Sequence, residues 1–118
     1  MRNLIGIDIE DLDRFSDKLE GKFIEKVLSD EELKIYYTFT HDHRKLTFIA
    51  GRFAGKEAYT KAYQSFDQPL NFKDVSILND ASGAPYIQSK YRPQDSLMIS
   101  IAHSKNTVVA VVTGSTDD

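Results

Sequence analysis

From Leu4 to Ile9 the chain alternates with a period of two, which sets Ile5, Ile7 and Ile9 on one face of a strand and Leu4, Gly6 and Asp8 on the other. From Glu10 to Phe39, "EDLDRFSDKLEGKFIEKVLSDEELKIYYTF", the apolar spacing is helical, with a break near Gly21. The period restarts at "SDEE", where Ser29 is placed to cap a helix and Glu32, three residues on, to complete a capping box. "HDHRK" then reads as a polar turn, and Leu46 to about Ser65 as a long central helix. After Pro69 the pattern shortens. "DVSIL" and "APYIQS" predict strands around the turn "NDASG", with Gly83 at positive φ, and "SLMISIAH" and "TVVAVVTG" predict a second pair around "SKN". Helices in the first half, strands in the second and one N-terminal strand predict an α+β fold with an antiparallel sheet.

A length of 118 residues suits a single domain, 1–118, small for a protein that encloses two substrates. The net charge of −3 argues against general nucleic-acid binding but leaves room for a local cationic pocket. With no cysteine there is no disulfide and no thiolate metal site. The N-terminus turns acidic early, unlike a signal peptide, and no apolar run approaches the roughly 20 residues that span a bilayer. These features predict a cytoplasmic protein with neither a nucleic-acid nor a membrane partner.

The stretch "AGRFAGKEAYTKAYQ", Ala50 to Gln64, changes the picture. Apolar residues spread around its whole circumference, as in a buried helix, yet it carries Arg52, Lys56, Glu57 and Lys61. One reading makes Glu57–Lys61 an exposed pair worth only ~0.3–0.5 kcal/mol, with Arg52 and Lys56 extended to solvent. The other has the charges enclosed and matched by partners or a bound ion. Gly55 costs a helix roughly 1 kcal/mol relative to alanine, tolerable where a backbone or ligand comes close. Asp8 is unusual within a strand and either caps the next helix or acts as a hard ligand. Two carboxylates completed by water and substrate phosphate suit Mg²⁺. His103 ends a strand, a structural position by default, but with Ser104 and Lys105 beside it can grip a phosphate. His41 and His43, near Arg44 and Lys45, belong to a solvated turn by default.

Taken in order, "GIDIEDLDRF", "FIEKVLSDEEL", "AGRFAGKEAYTKAY", "GAPYI" and "SIAHS" resemble the holo-acyl-carrier-protein synthases, the short bacterial type of 4′-phosphopantetheinyl transferase. The resemblance runs from Gly6 to Val112. It implies the 4′-phosphopantetheinyl transferase fold, an antiparallel sheet against a long central helix. It also implies transfer of the phosphopantetheine of coenzyme A to a serine of apo-acyl carrier protein, in fatty acid biosynthesis. Asp8 and Glu57 would be the Mg²⁺ ligands, with Mn²⁺ able to satisfy the same oxygens. Lys61 would contact the phosphates and could donate a proton to the leaving group. Arg52, His103 with Ser104, and Arg44 would hold the 3′-phosphate of coenzyme A, and Gly83 and Pro85 would line the adenine pocket. Arg14, with Lys22 and Phe23, would meet the acidic helix of the carrier protein.

On that reading all four helix charges would serve a polyphosphate ligand and its cation. The family also implies a homotrimer with active sites shared between neighbours. Ala102 stands where a serine is expected and Gly55 where an alanine is expected. Two other readings fit the residues: a Mg²⁺-dependent phosphohydrolase using Asp8 and Glu57, and a non-catalytic anion- or nucleotide-binding module built on the arginines.

Overall fold

The computed structural model describes residues 1–63 and 70–117. Strand β1, Arg2–Asp11, pairs antiparallel with β5, Thr107–Thr116, which pairs on its other side with β4, Ser96–His103. Strands β2, Val75–Asn79, and β3, Pro85–Ser89, form a second antiparallel sheet around a turn in which Gly83 has φ 91°. Short helices α1, Lys22–Val27, and α2, Asp30–Tyr36, precede the long α3, Asp42–Ala62. Helix α3 packs on β1, β5 and β4 and also touches β2. The predicted capping box is present: Ser29 Oγ accepts from Glu32 N at 3.3 Å, and Glu32 Oε1 accepts from Ser29 N at 2.8 Å.

The alternation in β1 sorts its residues, and the helix takes the face with the glycine. Leu4, Gly6 and Asp8 turn inward, while Ile5, Ile7 and Ile9 are 72%, 59% and 66% exposed. A Cβ at Gly6 would overlap the backbone of Ala58 and Ala62, so β1 and α3 meet backbone to backbone there. That close approach delivers Asp8, two residues further on the same face, to the flank of α3.

Three expectations need correction. The helical period after Glu10 yields a single 3₁₀ turn at Leu12–Phe15, because β1 continues to Asp11 and Leu12 N bonds to Asn106 O. Ser16 and Asp17 come next, polar residues that favour local turns over helix, and Ser16 Oγ donates back to Asp13 O. The expected polar turn "HDHRK" is the first turn of α3, with Asp42 at the positive end of the helix dipole and Arg44 stacked over Phe39 at 4.8 Å. The space a Cβ at Gly55 would take is filled by the Cδ1 methyls of Ile77 and Ile99, so the missing Cβ makes room for core side chains from both sheets. Ser65, the expected end of the helix, lies outside the described residues.

Candidate active site

The four charges of α3 take three different roles. Lys56 is fully buried, and its ammonium donates to Glu32 Oε1 at 2.5 Å, Val27 O at 2.6 Å and Phe72 O at 2.9 Å. Glu32 also accepts from Ser29 N and, at 2.7 Å, from Ile77 N on the edge of β2. Burial pulls the Lys56 pKa down and Glu32 opposes it. Lys56 is thus matched internally and offers nothing to a ligand, which corrects the expectation that all four charges serve one. It pins α1, α2 and β2 to the central helix.

Glu57 and Lys61 lie on the flank that meets β1. Lys61 Nζ pairs with Asp8 Oδ1 at 3.0 Å rather than forming the surface pair with Glu57 that their spacing allows. Asp8 is 7% exposed and its Oδ2 is buried without a hydrogen-bond partner, so its interior position is not that of a cap. Burial, and then the charge of Asp8, raise the Glu57 pKa, with Lys61 and Arg14 opposing. Glu10, next along the same strand face, is likewise raised, by burial and then by the nearby Asp8 carboxylate, while Arg14 pairs with it at 2.5 Å and opposes the shift. Carboxylates gathered this closely repel one another unless a proton or a cation offsets their charge. Among the described residues no ready-made cage of three or more metal-ligating side chains occurs. An orphaned carboxylate oxygen beside a second carboxylate nonetheless fits a hard cation that completes its shell with water and phosphate. Glu10 was not anticipated, although its position two residues beyond Asp8 on one strand face was a readable signal.

On the other flank a cavity of about 190 Å³ brings together Arg44, Arg52, Gly83, Pro85 and His103. Arg52 and Glu57 stand about 140° apart around the helix. Arg52 Nε donates to Ile77 O at 3.1 Å, Nη2 donates to Asn79 Oδ1 at 2.6 Å, and its guanidinium lies 4.1 Å from the Phe48 ring centre. Burial lowers its pKa to about 10, so it stays cationic at neutral pH. His103 comes from the end of β4, and Gly83 and Pro85 from the β2–β3 turn. Ser104, next to His103, is exposed; its N–H bonds Thr107 O within the β4–β5 turn, and it does not line the cavity.

Arg14 is half exposed and lies over the Phe53 ring at 4.8 Å, while Phe23 stacks on Phe15 and Phe53. Lys22 and Phe23 border a groove of about 920 Å³, walled by Val27, Leu70 and Phe72, that opens onto Glu57.

The model of the 4′-phosphopantetheinyl transferase superfamily matches residues 4–112. The chain belongs to that superfamily. It is 42% identical over 109 residues to the holo-[acyl-carrier-protein] synthase of Streptococcus equi subsp. equi, covering 91% of each chain. It is 38% identical over 112 residues to that of Acholeplasma laidlawii, covering 95% of each. The crystal structure of a Bacillus anthracis holo-(acyl-carrier-protein) synthase in complex with CoA (3′,5′-ADP) superposes with a TM-score of 0.80 at 34% identity, covering 94% of both chains. The α+β architecture of this chain is therefore that of the 4′-phosphopantetheinyl transferases. No helix among the described residues is long and apolar enough to cross a membrane.

Proposed function

We propose that this chain, a single domain over residues 1–118, is a holo-[acyl-carrier-protein] synthase. It transfers the 4′-phosphopantetheine of coenzyme A to a serine of apo-acyl carrier protein. The observation that carries the reading is the buried, unpartnered Asp8 Oδ2 beside Glu57, in a chain of this superfamily.

The serine oxygen bonds to the phosphorus of the phosphopantetheine, the pyrophosphate P–O bond breaks, and adenosine 3′,5′-bisphosphate leaves. Asp8 and Glu57 would hold Mg²⁺, or Mn²⁺ in its place, with Glu10 next to Asp8 on the same strand face. The bound cation supplies neutralisation of the pyrophosphate charge. Lys61, held by Asp8, meets the phosphates and donates a proton toward the leaving oxygen. Glu57 borders the groove and is the carboxylate offered to the serine proton. Arg44, Arg52 and His103 hold the 3′-phosphate, with Ser104 at their edge, and the backbones at Gly83 and Pro85 receive the adenine. Most of the catalysis is then positioning and charge stabilisation. The carrier protein docks its acidic helix on Arg14, Lys22 and Phe23, beside the groove that leads to Glu57.

The assembly is read as a homotrimer. Ile5, Ile7 and Ile9 on β1 form an apolar surface with Met98, 70% exposed, across the sheet on β4. A second copy would cover such a patch. The carboxylate cluster and the cationic cavity face opposite flanks of α3, so one coenzyme A reaches both by lying between copies. A cytoplasmic setting suits a chain without cysteine.

Intact-protein mass spectrometry of a bacterial apo-acyl carrier protein, incubated with this protein, coenzyme A and Mg²⁺, tests the reading. A gain of one phosphopantetheine group, abolished by chelator, is expected. No gain across a panel of carriers that another transferase modifies would refute it. Phosphate release from nucleotides would instead favour a phosphohydrolase.

A further inference from the structure

The cationic cavity holds one residue that joins its two halves. Two of the five N–H groups of Arg52 are engaged, Nε by Ile77 O and Nη2 by Asn79 Oδ1, while the Phe48 ring supports the guanidinium plane. The Ile77 bond fixes one point, and about that point the guanidinium can swing. The Asn79 bond, at 2.6 Å, is the second point that sets its direction.

Asn79 reaches the other way as well: its Nδ2 donates to Gly83 O at 2.9 Å. The turn it grips is already braced. Asp80 Oδ1 accepts from Ser82 N at 2.8 Å and Ala84 N at 3.1 Å, and Asp80 N donates to Ala84 O at 2.9 Å. Gly83 sits at φ 91° within it. A side-chain amide, with an acceptor at one end and a donor at the other, satisfies a guanidinium and a backbone carbonyl together. Aspartate lacks the donor, and alanine lacks both.

We propose that Asn79 is a positioning residue for coenzyme A recognition, locking the Arg52 guanidinium to the 80–84 turn so that the phosphate-binding and base-binding groups are set as one unit. The inference rests on reading this cavity as the site of the 3′-phosphate and adenine. Asn79 is exposed at the end of β2, so its replacement spares the core.

The test compares the full-length protein with Asn79→Ala and Asn79→Asp. Calorimetric titration with adenosine 3′,5′-bisphosphate and with 5′-AMP is paired with steady-state kinetics on coenzyme A and dephospho-coenzyme A. Loss of one charge-assisted hydrogen bond should weaken adenosine 3′,5′-bisphosphate binding and raise KM for coenzyme A about tenfold, with kcat within about twofold. KM for dephospho-coenzyme A, which lacks the phosphate that Arg52 is aimed at, should move by less than about threefold. Asn79→Asp should lose at least as much, since it forfeits the Gly83 bond and adds a repelling charge. An unchanged KM for coenzyme A in Asn79→Ala, or equal losses with both substrates, would overturn the positioning role. If the unaltered protein itself fails to distinguish adenosine 3′,5′-bisphosphate from 5′-AMP, the reading of the cavity fails and the inference with it. Discrimination kept intact in Asn79→Ala overturns the inference alone.

Discussion

Replacing Lys56 by methionine preserves the length and apolar stem of the side chain and removes the ammonium at its end. Three acceptors then lose their donor: the carboxylate of Glu32 and the carbonyls of Val27 and Phe72. Breaking one side of a buried ion pair costs about 3–5 kcal/mol. The N–H groups of Ser29 and Ile77 still serve Glu32, which pulls toward the lower end. The two orphaned carbonyls add about 1 kcal/mol each and push the other way. A loss of about 4 kcal/mol is a large share of the stability of a small domain. With a urea m-value of about 1.5 kcal/mol/M it lowers the denaturation midpoint by about 2–3 M. Adding Glu32→Gln should recover part of it, because no uncompensated charge then remains. At temperatures where Lys56→Met stays folded, KM for coenzyme A should be within about twofold of the unaltered value, since a side chain matched internally contributes no differential binding. A stability loss below about 1 kcal/mol would show that Glu32 is not enclosed, and a KM raised more than about tenfold in folded protein would return Lys56 to the ligand site.

The acidic cluster predicts a pH-dependent response to metal. Glu57 and Glu10 are held above their ordinary pKa, so their contribution to stability is complete below about pH 4.5 and is lost as pH rises through their folded-state values. A divalent cation replaces the missing protons, so at ten times its Kd Mg²⁺ should raise Tm by about 5 °C at pH 7.5 and much less at pH 4.5. The rise should vanish in Glu57→Gln together with most turnover; a pH-independent rise would place the cation elsewhere. Arg14→Glu should raise KM for carrier protein about tenfold and leave coenzyme A binding intact, and equal loss for both would end its docking role. Ile7→Asp, on the exposed face of β1, should shift the protein to a smaller species on sizing and cut activity more than about tenfold. A fully active monomer would contradict the shared site.

Much of the fold was written in local patterns. The capping box at Ser29 and Glu32, the positive φ at Gly83 and the five strands among the described residues arise from short-range chemistry. The error before Gly21 came from reading a helical period where β1 runs on and polar residues close a turn. Which face of β1 goes inward was not legible from alternation alone. Ile5, Ile7 and Ile9 form the more apolar face, yet the helix needs Gly6 for its close approach and so takes the face bearing Asp8. The partner of Lys56 was hidden for a similar reason: Glu32 is 24 residues away and was legible only as a cap. The cationic cavity was read through resemblance, whereas Asn79 carried no signal until the turn it grips was seen.

The placement of carboxylates and arginines on opposite flanks of one helix has a genetic consequence. In a homotrimer with shared sites, a chain crippled at Asp8 still offers an intact cationic cavity, and a chain crippled at Arg52 still offers intact carboxylates. Co-assembled in equal amounts from the unfolded state, two dead proteins should regain up to about a quarter of the sites, those where each supplies the half the other lacks.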